Sequence, residues 1–162
     1  MPIRSTTSDA DIARYLDERL KRLRQVAINN LCYLGETAIK EARENHRYKD
    51  RTGNLTSSIG YLVLDNGKVV RESSFEVARG VWEDDKGRKH PYSGDAGSSE
   101  GREFLHTLIS EHSTGFVLIL VAGMNYAAYV EAKNLNVLDS AEQLVERELP
   151  QLLKQLGYDT DR

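Results

Sequence analysis

The feature that most limits the fold is an apolar line that runs through the first quarter of the chain without losing phase. Ile12, Leu16, Leu20, Leu23, Ala27, Leu31, Leu34, Ala38 and Ala42 follow one another at steps of four, four, three, four, four, three, four and four. This is the eleven-residue repeat, close to the 3.6-residue period of a straight helix. Ser8-Asp9-Ala10-Asp11 supplies a side-chain cap and acids for the first turn. The pattern predicts one helix over 8–46, roughly 58 Å long at about 1.5 Å per residue. A small domain cannot cover that length by itself. Either the helix bends near Asn29-Asn30 or Gly35, or part of it meets another chain. Its alanine-rich second half predicts the close approach of something flat, most simply a sheet.

The remainder of the chain reads as an α+β domain: the long N-terminal helix packed on a small, mainly antiparallel sheet, with a short middle helix and a C-terminal helix. At 162 residues with 40% apolar content, one domain with one core is expected over 1–162. At the junction 48–59 the chain changes from helix to strand. Gly53-Asn54 allows positive φ there, and Thr52 or Asn54 can accept the free amides of a short helical turn that brings Leu55 and Ile59 to one side. Tyr61 to Asp65 and Lys68 to Arg71 flank Asn66-Gly67, a strong hairpin signal, so 48–82 is junction plus hairpin. Phe75-Glu76-Val77 extends or pairs with it.

Residues 83–102 are charged and rich in Gly and Ser, and predict a mobile surface loop with Trp82 at its mouth as a contact or a core lid. Over 103–138 the expectation is a helix from Glu103 to His112 with Phe104, Leu105, Leu108 and Ile109 inward. The apolar run Phe116 to Ala122 follows, read as a central strand covered on both faces. A small helix then starts at Tyr126, and Leu135 to Leu138 is a short strand or coil. The last helix, 140–157, opens at a capping box of Ser140 with Gln143, buries leucines from Leu144 to Leu156, and is kinked at Pro150.

Charge and composition narrow the function classes. Residues 1–53 hold 11 Lys/Arg against 8 Asp/Glu, 54–122 hold 7 against 10, and 123–162 hold 4 against 7. This gradient is too weak for a concentrated basic footprint on nucleic acid, though it permits charge-complementary stacking of copies. No apolar run reaches membrane-spanning length, and Met1-Pro2-Ile3-Arg4-Ser5 offers no signal core, so a cytosolic origin is expected. Cys32, the one cysteine, reads as a small buried apolar residue.

Several letter patterns fall short of chemistry. Gly97-Ser98-Ser99-Glu100-Gly101 matches a nucleophile elbow but lacks the apolar strand before it. Gly60 to Lys68 has the wrong glycine spacing for a phosphate loop, with Val69 where a hydroxyl is needed. Glu103 and His106 have the spacing of a carboxylate-bridged metal site without its second copy. His46, His90, His106 and His112 form no ligand set. Asn54-Leu55-Thr56 is a glycosylation sequon in letters only. Tyr126 and Tyr129 could stack bases but more often anchor a helix to a core. No catalytic, cofactor-binding or metal-ligating residue is predicted.

Two stretches share a known pattern. Tyr48-x-Asp50-Arg51-Thr52-Gly53-Asn54-Leu55-x-x-Ser58-Ile59 resembles the R-T-G-x-L-x-x-S-I core of the small neck and tail-completion (head–tail joining) proteins of long-tailed bacteriophages. Tyr126-Ala127-x-Tyr129-Val130-Glu131 resembles their Y-A-x-Y-V-E segment. The long helix before the first motif and the helix closing the chain sit as in that family. Where the family continues into a Phe-Gly-Thr turn, this chain has Ala132-Lys133-Asn134.

The resemblance implies an α+β virion protein without catalytic activity or cofactor, made in the host cytoplasm and resident in the neck or tail. It implies a homo-oligomeric ring between the head connector or stopper and the tail tube or terminator, with phage DNA passing through the lumen without sequence readout and no membrane contact. On that reading Asp50 and Arg51 brace the junction or reach a neighbouring subunit, Tyr126 and Tyr129 fix the second motif to the sheet, and 83–102 orders only on a neighbour. The alternatives from other classes are a small enzyme with a polar cleft at Asp50, Arg51 and Glu131, and a nucleic-acid-binding module using the basic N-terminal half.

Overall fold

Ile59 to Asp65 is the one strand buried at every residue, and the rest of the chain is layered on its two faces. In this computed structural model, which describes residues 8–157, the elements run α1 (Asp9–Glu44), α2 (Asn54–Ser57), β1 (Ile59–Asp65), β2 (Lys68–Glu72), β3 (Arg79–Glu83), β4 (Lys89–Ser93), α3 (Asp95–Thr107), a 3-10 turn (Ile109–Glu111), β5 (Phe116–Ala122), α4 (Ala127–Glu131) and α5 (Asp139–Gln155). The Met1–Ser5 stretch read above for a signal core lies outside the described residues. The α+β architecture is the expected one: a long N-terminal helix, small antiparallel sheets, a short middle helix and a C-terminal helix.

Helix α1 runs unbroken through Asn29-Asn30 and Gly35, capped by the Ser8 side chain, which accepts from the Asp11 amide. Only its second half is covered. Leu34, Ala38, Ile39 and Ala42 are buried against Ile59, Tyr61 and Val63 of β1, where small side chains let the helix lie close to the sheet. Every residue from Asp9 to Val26 is exposed, including Ile12, Leu16, Leu20 and Leu23, which the apolar line predicted to be buried. The periodicity is real, but this chain alone supplies nothing to cover its first turns.

The main sheet has the order β2-β1-β5, antiparallel throughout. Asn66 and Gly67 both take positive φ, 49° and 75°, in the expected hairpin turn. Strand β5 is an edge strand and not the predicted central one. The central place belongs to β1, whose Ile59, Tyr61 and Val63 face α1 while Leu62 and Leu64 face Leu105, Phe75, Ile119 and Val121. Phe75-Glu76-Val77 joins no strand: Phe75 is buried at φ 47°.

The predicted loop 83–102 is ordered structure. Strands β3 and β4 form a separate antiparallel arm, with Trp82 opposite His90, and α3 begins at Asp95 instead of Glu103. The arm turns at Asp84, whose carboxylate accepts from the amides of Lys86 and Arg88, both at 2.9 Å. Glycines are poor helix formers, yet here they permit contact: a Cβ on Gly97 would lie 1.9 Å from the Asn54 carbonyl oxygen. Tertiary packing against α2 thus overrides propensity. Within α3 and the following turn Leu105 is fully buried and Leu108 and Ile109 partly so, while Phe104 is exposed.

Helix α5 starts at Asp139 without the predicted Ser140–Gln143 box, and continues through Pro150 to Gln155. Of its residues only Ala141 is buried, and its leucines are half-covered. Cys32 is half-buried against the α1 cluster, its thiol raised by burial.

Candidate functional site

The helix-to-strand junction is built around one carboxylate. Gly53 adopts φ 74°, which favours glycine, and opens α2 without a side-chain cap of its own. Asp50 accepts from the Gly53 amide at 2.8 Å and from the Thr56 amide at 3.0 Å, supplying the cap from three and six residues away. The Asn54 amide donates to Thr52 Oγ1 at 3.3 Å, while the Asn54 side-chain oxygen accepts from the Gly97 amide at 3.2 Å, tying α2 to α3. Ser57 and Ser58 are fully buried and return their hydroxyls to the Gly53 and Leu55 carbonyls at 2.6 and 2.8 Å. Leu55 and Ile59 lie inward together, as the spacing predicts.

The two resemblance motifs, more than 60 residues apart in the chain, pack together. Tyr48 and Leu55 of the first share one buried cluster with Ala127 of the second and with Val137. The Tyr48 hydroxyl meets Thr56 Oγ1 at 3.0 Å and its ring stacks on His46 at 4.1 Å; burial pushes the phenol up to about 12. Tyr126 sits beside Asp50 and Thr52, its phenol raised by burial and then by the Asp50 charge. Tyr129 does not fix the motif to the sheet. It is 65% exposed, with Lys133 Nζ 4.3 Å from its ring centroid, and the anchoring is done by Ala127 and Val130.

Glu131 is the second capping carboxylate. It accepts from the amides of Val137, Leu138 (2.7 Å) and Asp139 (2.8 Å), taking over the start of α5 that Ser140 was expected to cap. Burial works against its charge, but the three amides outweigh burial and hold the carboxyl below its ordinary value. In place of the family's Phe-Gly-Thr turn, Asn134 and Asn136 both take φ 57°. Asn136 also donates to the Asn45 carbonyl at 2.8 Å, linking the end of α1 to α5.

Arg51 has a role that its motif alone did not reveal. Its guanidinium lies 5.2 Å from the Trp82 ring centroid, with Lys49 Nζ at 5.4 Å, and Trp82 stacks on His90 at 4.6 Å. Lys49 also reaches the Glu83 carbonyl at 3.3 Å. Trp82 is therefore neither a core lid nor a free contact. It is the seat on which junction cations hold the β3–β4 arm. Arg43 was missed as well: half-buried, with its charge disfavoured by that burial, it donates to the Ile59 carbonyl at 2.7 Å and joins α1 to β1. An arginine in the last turn of a helix, as Arg43 is, or in a bend, as Arg51 is, is too common for either role to be read from sequence.

Asp50 accepts from two backbone amides and Glu131 from three, so the junction positions chain segments; Glu131 also meets the carboxyl of Asp139, which burial and then the Glu131 charge raise above its ordinary value. Among the described residues, no group of three or more His, Cys, Asp or Glu is placed to hold a metal ion, and no helix is long and apolar enough to cross a membrane. Comparison of the chain with protein-family models, with curated proteins and with solved structures finds no match.

Proposed function

We propose that the chain is a ring-forming structural subunit of a tailed-phage neck, of the tail-completion kind. It would join the head connector or stopper to the tail tube or terminator around passing DNA, without catalysis and without sequence readout. It would be assembled in the host cytoplasm and kept in the virion. The two motifs support this reading by resemblance.

The observation that carries it is the free half of α1. From Asp9 to Leu23 the helix projects roughly 22 Å at about 1.5 Å per residue. It carries Leu20 65% exposed, Tyr15 61% and Leu16 53% on an uncovered apolar stripe. Contiguous exposed apolar surface of this kind marks an interaction site. The enzyme alternative at Asp50, Arg51 and Glu131 is weakened because all three side chains are already engaged in holding the fold. The nucleic-acid alternative retains only the short basic run 19–24, of which Arg24 is tied to the buried Asp65 carboxylate.

Cryo-electron microscopy of particles carrying the chain tests the reading, with a ring expected at the head–tail junction. Leu16→Ser with Leu20→Ser should leave the soluble fold intact and abolish incorporation. A chain that is absent from particles, or whose variant incorporates normally, overturns it.

A further inference from the structure

Strand β5 is an edge with none of the usual protection. Its seven residues are all apolar, without charge or proline, and it pairs with β1 in regular register. The Gly123 amide donates to the Ser58 carbonyl, which fixes the ladder parity: Val117, Ile119 and Val121 turn their backbone groups toward β1. Those of Phe116, Leu118, Leu120 and Ala122 point away, and among the described residues they have no hydrogen-bond partner. Natural sheets blunt such edges with charges, prolines or bulges, or cover them, because an open edge is a template for another strand.

Both faces beside this edge are hollow. On one, α1, β5 and α5 enclose a cleft of about 400 Å³ walled by Leu149, Leu152 and Leu153; on the other, a groove of about 590 Å³ is lined by Phe104, Leu108 and Met124. Helix α5 thus brings more apolar surface than three strands cover. At the rim where α5 meets β5, Glu142 and Glu146 stand one turn apart, and neither has an ion-pair partner among the described residues.

We propose that this edge receives β2 of a second copy of the chain. Strand β2 is the opposite edge of the same sheet and offers Val69 and Val70, 47% and 41% exposed, between Lys68 and Arg71; the ladder to β1 shifts register there and leaves Val70 bulged, so the incoming strand pairs through the residues on either side of it. Lys68 complements Glu142 and Glu146, while Arg71 is held by Glu36 of its own chain at 3.8 Å, and the valines suit the apolar grooves. Because β1 is antiparallel to both edges, β2 and β5 run the same way. A neighbour rotated about an axis along the strands therefore presents its β2 parallel to β5. The contact is head-to-tail, so repetition closes a ring or extends a filament. Closure rests on the ring reading above; the pairing itself does not.

The test uses the full chain with Cys32→Ser, so that no native thiol competes. Val70→Cys and Leu120→Cys proteins are mixed and oxidised, and the oligomer is sized by native mass spectrometry. Disulfide-linked dimers are expected from the mixture and not from either variant alone. Leu118→Pro removes an outward-pointing amide together with a half-buried side chain of the α1 cluster, so Leu118→Ala serves as its control; with circular dichroism showing both folded, the proline variant should weaken association by about ten-fold or more beyond the alanine one. Self-linking of Leu120→Cys would mean two-fold pairing of β5 with itself and would overturn the proposal. Closed oligomers without the mixed cross-link overturn it and leave the ring reading standing. Cross-linked open filaments uphold the pairing and remove the ring reading, and a monomer at every concentration removes both.

Discussion

Gly35 lies flat against the ring of Tyr61: a methyl group at position 35 would sit 2.4 Å from Tyr61 Cδ2. The ring has no room to retreat, since Tyr61 is fully buried in the central strand and donates its hydroxyl to Glu36 at 2.8 Å. Alanine in place of glycine gains about 1 kcal/mol of helix propensity. Overpacking a buried ring costs about 1–3 kcal/mol. Gly35→Ala should therefore destabilise the chain by up to about 2 kcal/mol, read as a lower urea midpoint. A higher midpoint would mean that α1 does not rest on the sheet at this point.

Asp50→Ala removes the acceptor for two amides at the entry to α2. The expected loss is about 1–3 kcal/mol, with shifts in amide spectra confined to the junction and to Tyr48, Tyr126 and Gly97 around it. Asp50→Asn keeps one side-chain oxygen and should cost less. If both variants unfold at the wild-type midpoint, the carboxylate does not hold the junction.

Glu131 makes stability depend on acid. Its carboxyl titrates lower in the folded chain than in the unfolded one, so its contribution is complete above the ordinary glutamate range and is lost as pH falls through the folded value. Wild type should lose stability relative to Glu131→Gln as pH falls below the ordinary glutamate range and through the lower folded value. Urea midpoints measured across that window for the two proteins should converge as the pH drops. Parallel curves would show that the three amides do not hold the carboxylate charged.

The arm should respond separately from the core. Arg51→Ala removes one cation–ring contact of about 0.5–1 kcal/mol, and Trp82→Ala removes two together with the His90 stack; hydrogen exchange at the Trp82 and His90 amides should accelerate several-fold, more in the second variant, while β1 stays protected. The Asp84 carboxyl, held down to about 2 chiefly by the Arg88 amide, keeps the turn of the arm charged in all but strong acid. Its contribution is present above the ordinary aspartate range and fades as pH falls toward 2. Asp84→Ala should therefore fray the arm at neutral pH, which amide exchange at Lys86 and Arg88 would register. Unchanged exchange in all three variants would place the arm's support elsewhere.

Near-neighbour chemistry determined much of this fold: the phase of α1, the Asn66-Gly67 hairpin, the turn at Gly53-Asn54 and the inward pairing of Leu55 with Ile59 all follow from spacings of one to four residues. Three things were decided only by tertiary contact. A glycine-rich run became the start of α3 because bare backbone fits against Asn54. The middle of the sheet went to β1, since β2 and β5 both pair with it and no strand lies beyond β5 among the described residues. The caps of α2 and α5 came from Asp50 and Glu131, outside the windows in which capping motifs are read. Helical phase and turn type are local free-energy preferences that survive in any surroundings. Strand order, glycine packing and remote capping depend on which distant segments meet, and that is settled only when the apolar faces of β1 are covered.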